Sequence, residues 1–221
     1  MRTEYWQQVK QVDPKNLVFI DEMGVLLGLT RTHARSPHGT RAYDFKPFYR
    51  GAKTTVIGAI SLKQVLAVMT LNGSMNGNAF KVFVEKCLLP QLWSRGLTRK
   101  KLGSLSFVDQ SAESGIRCIK AAQFLGDNAS GAVVVMDNVP AHKVKEIESL
   151  IKSKGASVLY QSPYSPDFNP IEHWWSQLKS FLRQFSPTTA KMVDVLIATA
   201  LDLINPVHFK NWFTNCCYCT S

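Results

Sequence analysis

Three acidic residues stand where the sequence could support chemistry. Asp21 closes the apolar run Leu17-Val18-Phe19-Ile20, Asp137 closes Ala132-Val133-Val134-Val135-Met136, and Glu172 follows a loop stiffened by Pro166 and Pro170. Residues 138–171, a gap of 34, separate the second from the third. Carboxylates brought into one pocket repel and raise one another's pKa unless cations neutralise them. An all-oxygen donor set with no cysteine or paired histidines favours Mg²⁺ or Mn²⁺ over zinc. Two such ions can activate a water or a 3′-hydroxyl and stabilise the leaving oxygen of a phosphodiester. The set therefore predicts metal-assisted phosphoryl transfer on a polyanion, with Asp21, Asp137 and Glu172 as catalytic groups and metal ligands. Taken singly, each has a plainer reading, because strand-end aspartates cap turns and a first-turn glutamate reaches back to its helix cap. Glu22 is expected to point away from the site, since side chains alternate along a strand.

The elements that must position these groups can be read in order. Residues 1–16 form a short amphipathic lead-in with Tyr5, Trp6 and Val9 at helical spacing, stopped at Asp13-Pro14. A first strand spans Leu17 to Asp21, and two further runs, Thr54–Ile60 and Val65–Leu71, make an antiparallel pair. Asn78–Trp93 has one apolar helical face. Residues 94–131 break the rhythm with Arg99-Lys100-Lys101 and a helix predicted over about Glu113–Leu125. They are expected to loop out, so that a short turn could replace 95–130. A strand to Met136, a helix over Lys143–Lys154 and a strand over Ala156–Tyr160 come next. Asn169 is the expected N-cap and Pro170 the first residue of a helix that fixes Glu172 in its first turn and ends near Phe185; a last helix spans Thr189–Ile204. The fold class is α/β: a mixed sheet, three antiparallel strands plus parallel ones, with helices on both faces. Asp21 and Asp137 then end neighbouring strands, where ligands of open α/β sheets gather.

Composition agrees with a nucleic-acid partner. The 221 residues carry 26 Lys+Arg against 16 Asp+Glu, a formal charge of +10, which attracts polyanions. Hydrophobic residues make up 45%, enough for one buried core. Residues 28–52 are basic and turn-rich, interleaved with Tyr43, Phe45, Phe48 and Tyr49, and read either as a solvated loop or as a DNA contact. Arg41, Lys46, Arg50, Lys53 and, beyond Asp137, Lys143 are the candidate DNA-binding residues. No apolar run approaches the roughly 20 residues of a membrane span, and Met1-Arg2-Thr3-Glu4-Tyr5-Trp6 is not a signal peptide, so a cytoplasmic protein with no membrane partner is expected. Five cysteines fit a reducing compartment. Cys216, Cys217 and Cys219 with His208 lack the paired spacing of a structural zinc site. Trp174 and Trp175 are expected to pack beneath the Glu172 helix.

Leu17-Val18-Phe19-Ile20-Asp21-Glu22, Val135-Met136-Asp137-Asn138 with Ala141-His142, and Tyr164-Ser165-Pro166-Asp167-Phe168-Asn169-Pro170-Ile171-Glu172 resemble the three catalytic motifs of DDE transposases of the mariner-like superfamily, in its bacterial insertion-sequence branch. The resemblance covers most of residues 5–93 and 132–213. It implies a ribonuclease H-like fold in a single catalytic domain, two Mg²⁺ or Mn²⁺ ions on Asp21, Asp137 and Glu172, and cut-and-paste movement of double-stranded DNA into TA targets by a homodimer. The setting implied is the bacterial cytoplasm, at the nucleoid. Relatives carry N-terminal helix-turn-helix modules that find no counterpart before Tyr5, so a separately encoded helix-turn-helix partner is expected, and residues 94–131 read as an insertion. Asn138 would brace Asp137. His142 matches a recurrent histidine of the family and reads first as a helix-entry histidine bonded to local backbone, with contact to DNA as the alternative. Two other functions fit the same residues: a stand-alone ribonuclease H-like nuclease or resolvase, and a DNA-binding remnant that has lost catalysis.

Overall fold

Leu17 to Ile20 is apolar at every position, which suits a strand covered on both faces, and in the computed structural model all four side chains are buried. The structure describes residues 2–45, 52–92, 115–121, 131–142 and 145–219. Six strands, β1 (Leu17–Leu26), β2 (Lys53–Ser61), β3 (Val65–Asn72), β4 (Ile116–Ala121), β5 (Val133–Met136) and β6 (Ser157–Tyr160), form one sheet in the order β4-β3-β2-β1-β5-β6. β1 to β4 pair antiparallel, while β5 runs parallel to β1 and β6 parallel to β5. This is the mixed sheet expected from the sequence.

Alternation along β1 divides the core. Leu17, Phe19, Met23 and Val25 face a layer containing buried residues of α1 (Arg2–Val9), α5 (Ile171–Phe185), α6 (Ala190–Leu203) and α7 (Val207–Asn215). Val18 and Ile20 face the opposite layer, with residues of α2 (Gly77–Val82), the π-helical turns Phe83–Leu88 that continue it, α3 (Leu89–Leu92) and α4 (Lys145–Ser153). Among the described residues no single helix is long and apolar enough to cross a membrane.

Four expectations need correction. β1 does not stop at Asp21 but continues to Leu26, because β2 supplies a ladder partner at each position, Asp21 lying opposite Gly58. No helix occupies 116–121: those residues form β4, which pairs with β3 and so closes the antiparallel edge of the sheet. Arg117 of β4 makes an ion pair with the buried Asp194 of α6, which also accepts a hydrogen bond from Thr70 of β3 at 2.7 Å. The described part of the 94–131 segment is thus built into the sheet; the Arg99-Lys100-Lys101 cluster lies outside the described residues. The chain also does not end its helices at Asn205-Pro206, since Pro206, with helical φ and ψ, opens α7. Finally, Asn169 does not cap α5 with its side chain; Pro170 is the cap residue and makes no side-chain capping bond.

Candidate active site

The register of the parallel pair places the two aspartates. The last paired couple of β1 and β5 is Phe19 and Val135, so Asp21 and Asp137 each lie two residues further on. Their backbone settings differ. β1 continues past Asp21, but β5 ends at Met136, and Asp137 enters a turn that closes with His142 N–H donating to Val139 C=O at 3.0 Å.

Asp21 shares the parity of Phe19 and points into the α5 layer. Its Oδ2 accepts from Trp175 Nε1 at 3.1 Å and from Asn169 Nδ2 at 3.4 Å. Room for the tryptophan comes from Gly58, opposite Asp21 on β2. A Cβ there would lie 2.6 Å from Trp174 Cζ3 and 2.6 Å from Trp175 Cη2. The two indoles stack with centroids 4.4 Å apart and are buried, as expected for residues packing beneath the Glu172 helix. Burial chiefly pushes the Asp21 carboxyl up to about 7; a backbone hydrogen bond at Glu22 is the main opposing effect, the charges of Glu172 and then Glu22 raise it further, and the Trp175 donor lowers it least. Glu172, exposed in the first turn of α5, is therefore within electrostatic reach of Asp21.

The loop that delivers Glu172 is clamped from both sides. Phe168 C=O accepts from Tyr218 Oη at 2.6 Å and from Gln161 Nε2 at 3.1 Å. Tyr5 Oη is 2.7 Å from Tyr218 Oη, and Trp6 stacks on Phe168 at 5.5 Å. Arg2 pairs with Asp167 and lies over the Phe168 ring. Residues of α1 and of the tail after α7, distant in sequence, hold one loop.

Asp137 has a different partner. Its Oδ1 lies 2.5 Å from Nδ1 of His142, whose Nε2 lies 3.3 Å from Glu22 Oε2. His142 is fully buried, with Phe80 over its ring at 4.0 Å. Burial opposes the imidazolium, but contacts with Asp137 and Glu22 outweigh it and push His142 up to about 9. Its side chain thus engages two carboxylates, where the sequence suggested local backbone. Glu22 does lie on the sheet face opposite Asp21, as alternation requires. Asn138 is exposed.

Among the remaining predicted contacts, Arg41 and Lys53 are exposed, and Lys53 lies along β2 with its chain over Gly24. Lys46, Arg50 and Lys143 lie outside the described residues. Cys216 is buried, Cys217 exposed, and His208 Nδ1 sits 3.3 Å from Gln177 Nε2, so these groups do not gather around a metal. Among the described residues no three His, Cys, Asp or Glu side chains meet at one coordination point. The chemistry of Asp21, Asp137 and Glu172 nevertheless fits a hard divalent cation. All donors are oxygens, Asp21 carries an uncompensated burial cost, and Asn169 Oδ1 is buried beside it with no hydrogen-bond partner.

No relative was found among curated protein sequences. Among solved structures, the Mos1 strand transfer complex aligns with 97% of this chain and 57% of its own at 12% identity, TM-score 0.65. The pre-cleavage Mos1 transpososome aligns with 97% and 56% at 11% identity, TM-score 0.61. The catalytic domain of Mos1 mariner transposase aligns with 97% and 85% at 12% identity, TM-score 0.59. The chain spans just over half the length of the Mos1 chains in those complexes, and the likeness shows a ribonuclease H-like fold. The DDE superfamily endonuclease family model matches residues 16–102 and 107–193. Those spans hold both aspartate strands and the Glu172 helix, and the chain belongs to the DDE superfamily endonucleases.

Proposed function

We propose that this chain is the catalytic domain of a cut-and-paste DNA transposase of the mariner-like superfamily, in its bacterial insertion-sequence branch, acting in the bacterial cytoplasm. Asp21, Asp137 and Glu172 hold Mg²⁺ or Mn²⁺. The observation that carries this reading is the β1–β5 register, which sets Asp21 and Asp137 at equivalent positions of adjacent parallel strands with Glu172 close enough to raise Asp21. When bound, a pair of such ions supplies activation of a water or 3′-hydroxyl and stabilisation of the leaving oxygen. The protein's own part is placement. Trp175 and Asn169 orient Asp21, the clamped Phe168 loop presents Glu172, and the +10 charge draws the DNA backbone. Double-stranded transposon ends and a TA target are the substrates, taken by a homodimer.

Two Mos1 paired-end complexes, one with Mg and one with Mn, support the choice of ion. The test is plasmid nicking and strand transfer by Asp137→Asn in Mg²⁺ and Mn²⁺. Loss of both reactions is expected, with DNA affinity equal or slightly higher because a negative charge near phosphate is gone. Metal-dependent activity retained in that variant overturns the proposal.

A further inference from the structure

β5 stops at Met136, so Asp137 has left the ladder that fixes its neighbours, and something else must hold its carboxylate. Among the described residues the structure offers one anchor. His142 Nδ1 faces Asp137 Oδ1 at 2.5 Å and His142 Nε2 faces Glu22 Oε2 at 3.3 Å. All four atoms are buried, and each lies within ion-pair range of its partner without completing an aligned hydrogen bond to any described residue. Carboxylate oxygens accept and do not donate, so each contact holds the ring only where the facing nitrogen carries a proton, and turning the ring would strand two buried acceptors. Phe80, 4.0 Å away ring to ring, covers one face of the imidazole. Glu22 is rigid in turn because it lies inside β1, opposite Ile57 of β2.

We infer that Glu22 is a positioning residue for metal binding: through His142 it fixes the Asp137 carboxylate. The chain of contacts ties the loop after β5 to β1 at the residue next to Asp21. One aspartate is placed by the ladder itself, the other by a cross-brace from the opposite face of the same strand. The Asp137 side chain remains 38% accessible, so with Oδ1 turned to His142 a second oxygen is left for an ion. Donors that hold a metal-binding carboxylate in one orientation change affinity about 10- to 100-fold when removed. The inference rests on the reading of Asp137 as a metal ligand and says what makes it one.

The test is Mn²⁺ binding to the full chain without DNA, followed by electron paramagnetic resonance and calorimetry, so that turnover is not the readout. Five variants are compared: Asp137→Asn, Glu22→Ala, Glu22→Gln, His142→Asn and the Glu22→Ala/His142→Asn double. Asparagine at 142 keeps a donor for Asp137 but is too short to reach Glu22, and Glu22, 26% accessible, can be truncated without opening a closed core. Glu22→Ala and His142→Asn should each weaken Mn²⁺ binding about tenfold, and the double no further, because both cut the same link. Glu22→Gln, which keeps an acceptor oxygen, should restore most of the loss. If Asp137→Asn binds Mn²⁺ like the unaltered chain, the metal-ligand reading itself fails. If Asp137→Asn loses binding while Glu22→Ala keeps it, or the two losses multiply to about a hundredfold, the cross-brace is overturned.

Discussion

Asp21 and Asp137 sit at matching positions of two adjacent strands and are held in opposite ways. Asp21 is inside a continuous ladder, buried, and meets an indole N–H and an amide. Asp137 is one residue past the end of its strand, more than a third accessible, and meets a charged imidazole. The first arrangement gives position from the backbone and leaves the charge poorly compensated; the second supplies compensating charge and borrows position from Glu22. A site built from both needs a cation most at Asp21.

Replacing Asp21 breaks that contrast with the largest expected effect. Its carboxyl titrates near 7 in the folded protein against an ordinary 3.8. A raised acid destabilises the fold once the unfolded chain ionises: the cost is absent below about pH 3.8, grows between the two values and is complete above 7. At full ionisation it is on the order of 4 kcal/mol. Asp21→Asn in metal-free protein should therefore raise the unfolding free energy by up to that amount at pH 8 and leave it unchanged near pH 3.5, read by urea denaturation at both. The His142 anchor has its own window. The imidazole is raised from 6.5 to about 9, so its contribution is complete below pH 6.5 and lost as pH rises through 9, and Asp21→Asn should leave that decline in place.

The support under Asp21 can be broken without touching any polar group. Gly58→Ala puts a methyl group 2.6 Å from both indoles, and neither Trp174 nor Trp175 can move without disturbing the packed α5 layer. A loss of about 2–3 kcal/mol is expected from such overpacking, together with a change in tryptophan fluorescence. Gly24→Ala is the control. There the new carbon meets only the Lys53 chain, Cε at 3.0 Å, and a flexible chain on an exposed residue can swing away.

How far this site could be read in advance depends on the range of the forces involved. Both aspartate strands were visible because parallel strands buried on both faces are apolar at successive positions, and Glu172 was placed by the local chemistry of Pro170. β4 was not. Ile116, Cys118, Ile119 and Ala121 suit a helix as well as a strand, and the choice is made by β3 and by Asp194, partners far along the chain. α7 was hidden by a proline that reads equally as a stop and as a start. Asn169 has the residue type of an N-cap, but its amide is drawn to Asp21, 148 residues away. Glu22 was rightly turned from Asp21, yet nothing local showed that the opposite face held a histidine.

Trp175 sharpens the comparison with the smallest change. Helical periodicity puts this residue on the buried face of α5, and a phenylalanine would satisfy that requirement; the indole N–H is what Asp21 adds to it, at 3.1 Å. Trp175→Phe removes that donor and also leaves a space beneath the helix, and pH separates the two effects. Below about pH 4 Asp21 is neutral, so the loss measured there is packing alone. Above about pH 7 the carboxylate is charged, and the missing donor should add about 1–2 kcal/mol, the worth of a hydrogen bond to a charged group. The Asp21 titration, followed by NMR with carboxyl-labelled aspartate, should move upward by about one pH unit. An Asp21 midpoint unchanged in Trp175→Phe would mean that the indole only fills space, and that the ladder alone holds the first aspartate.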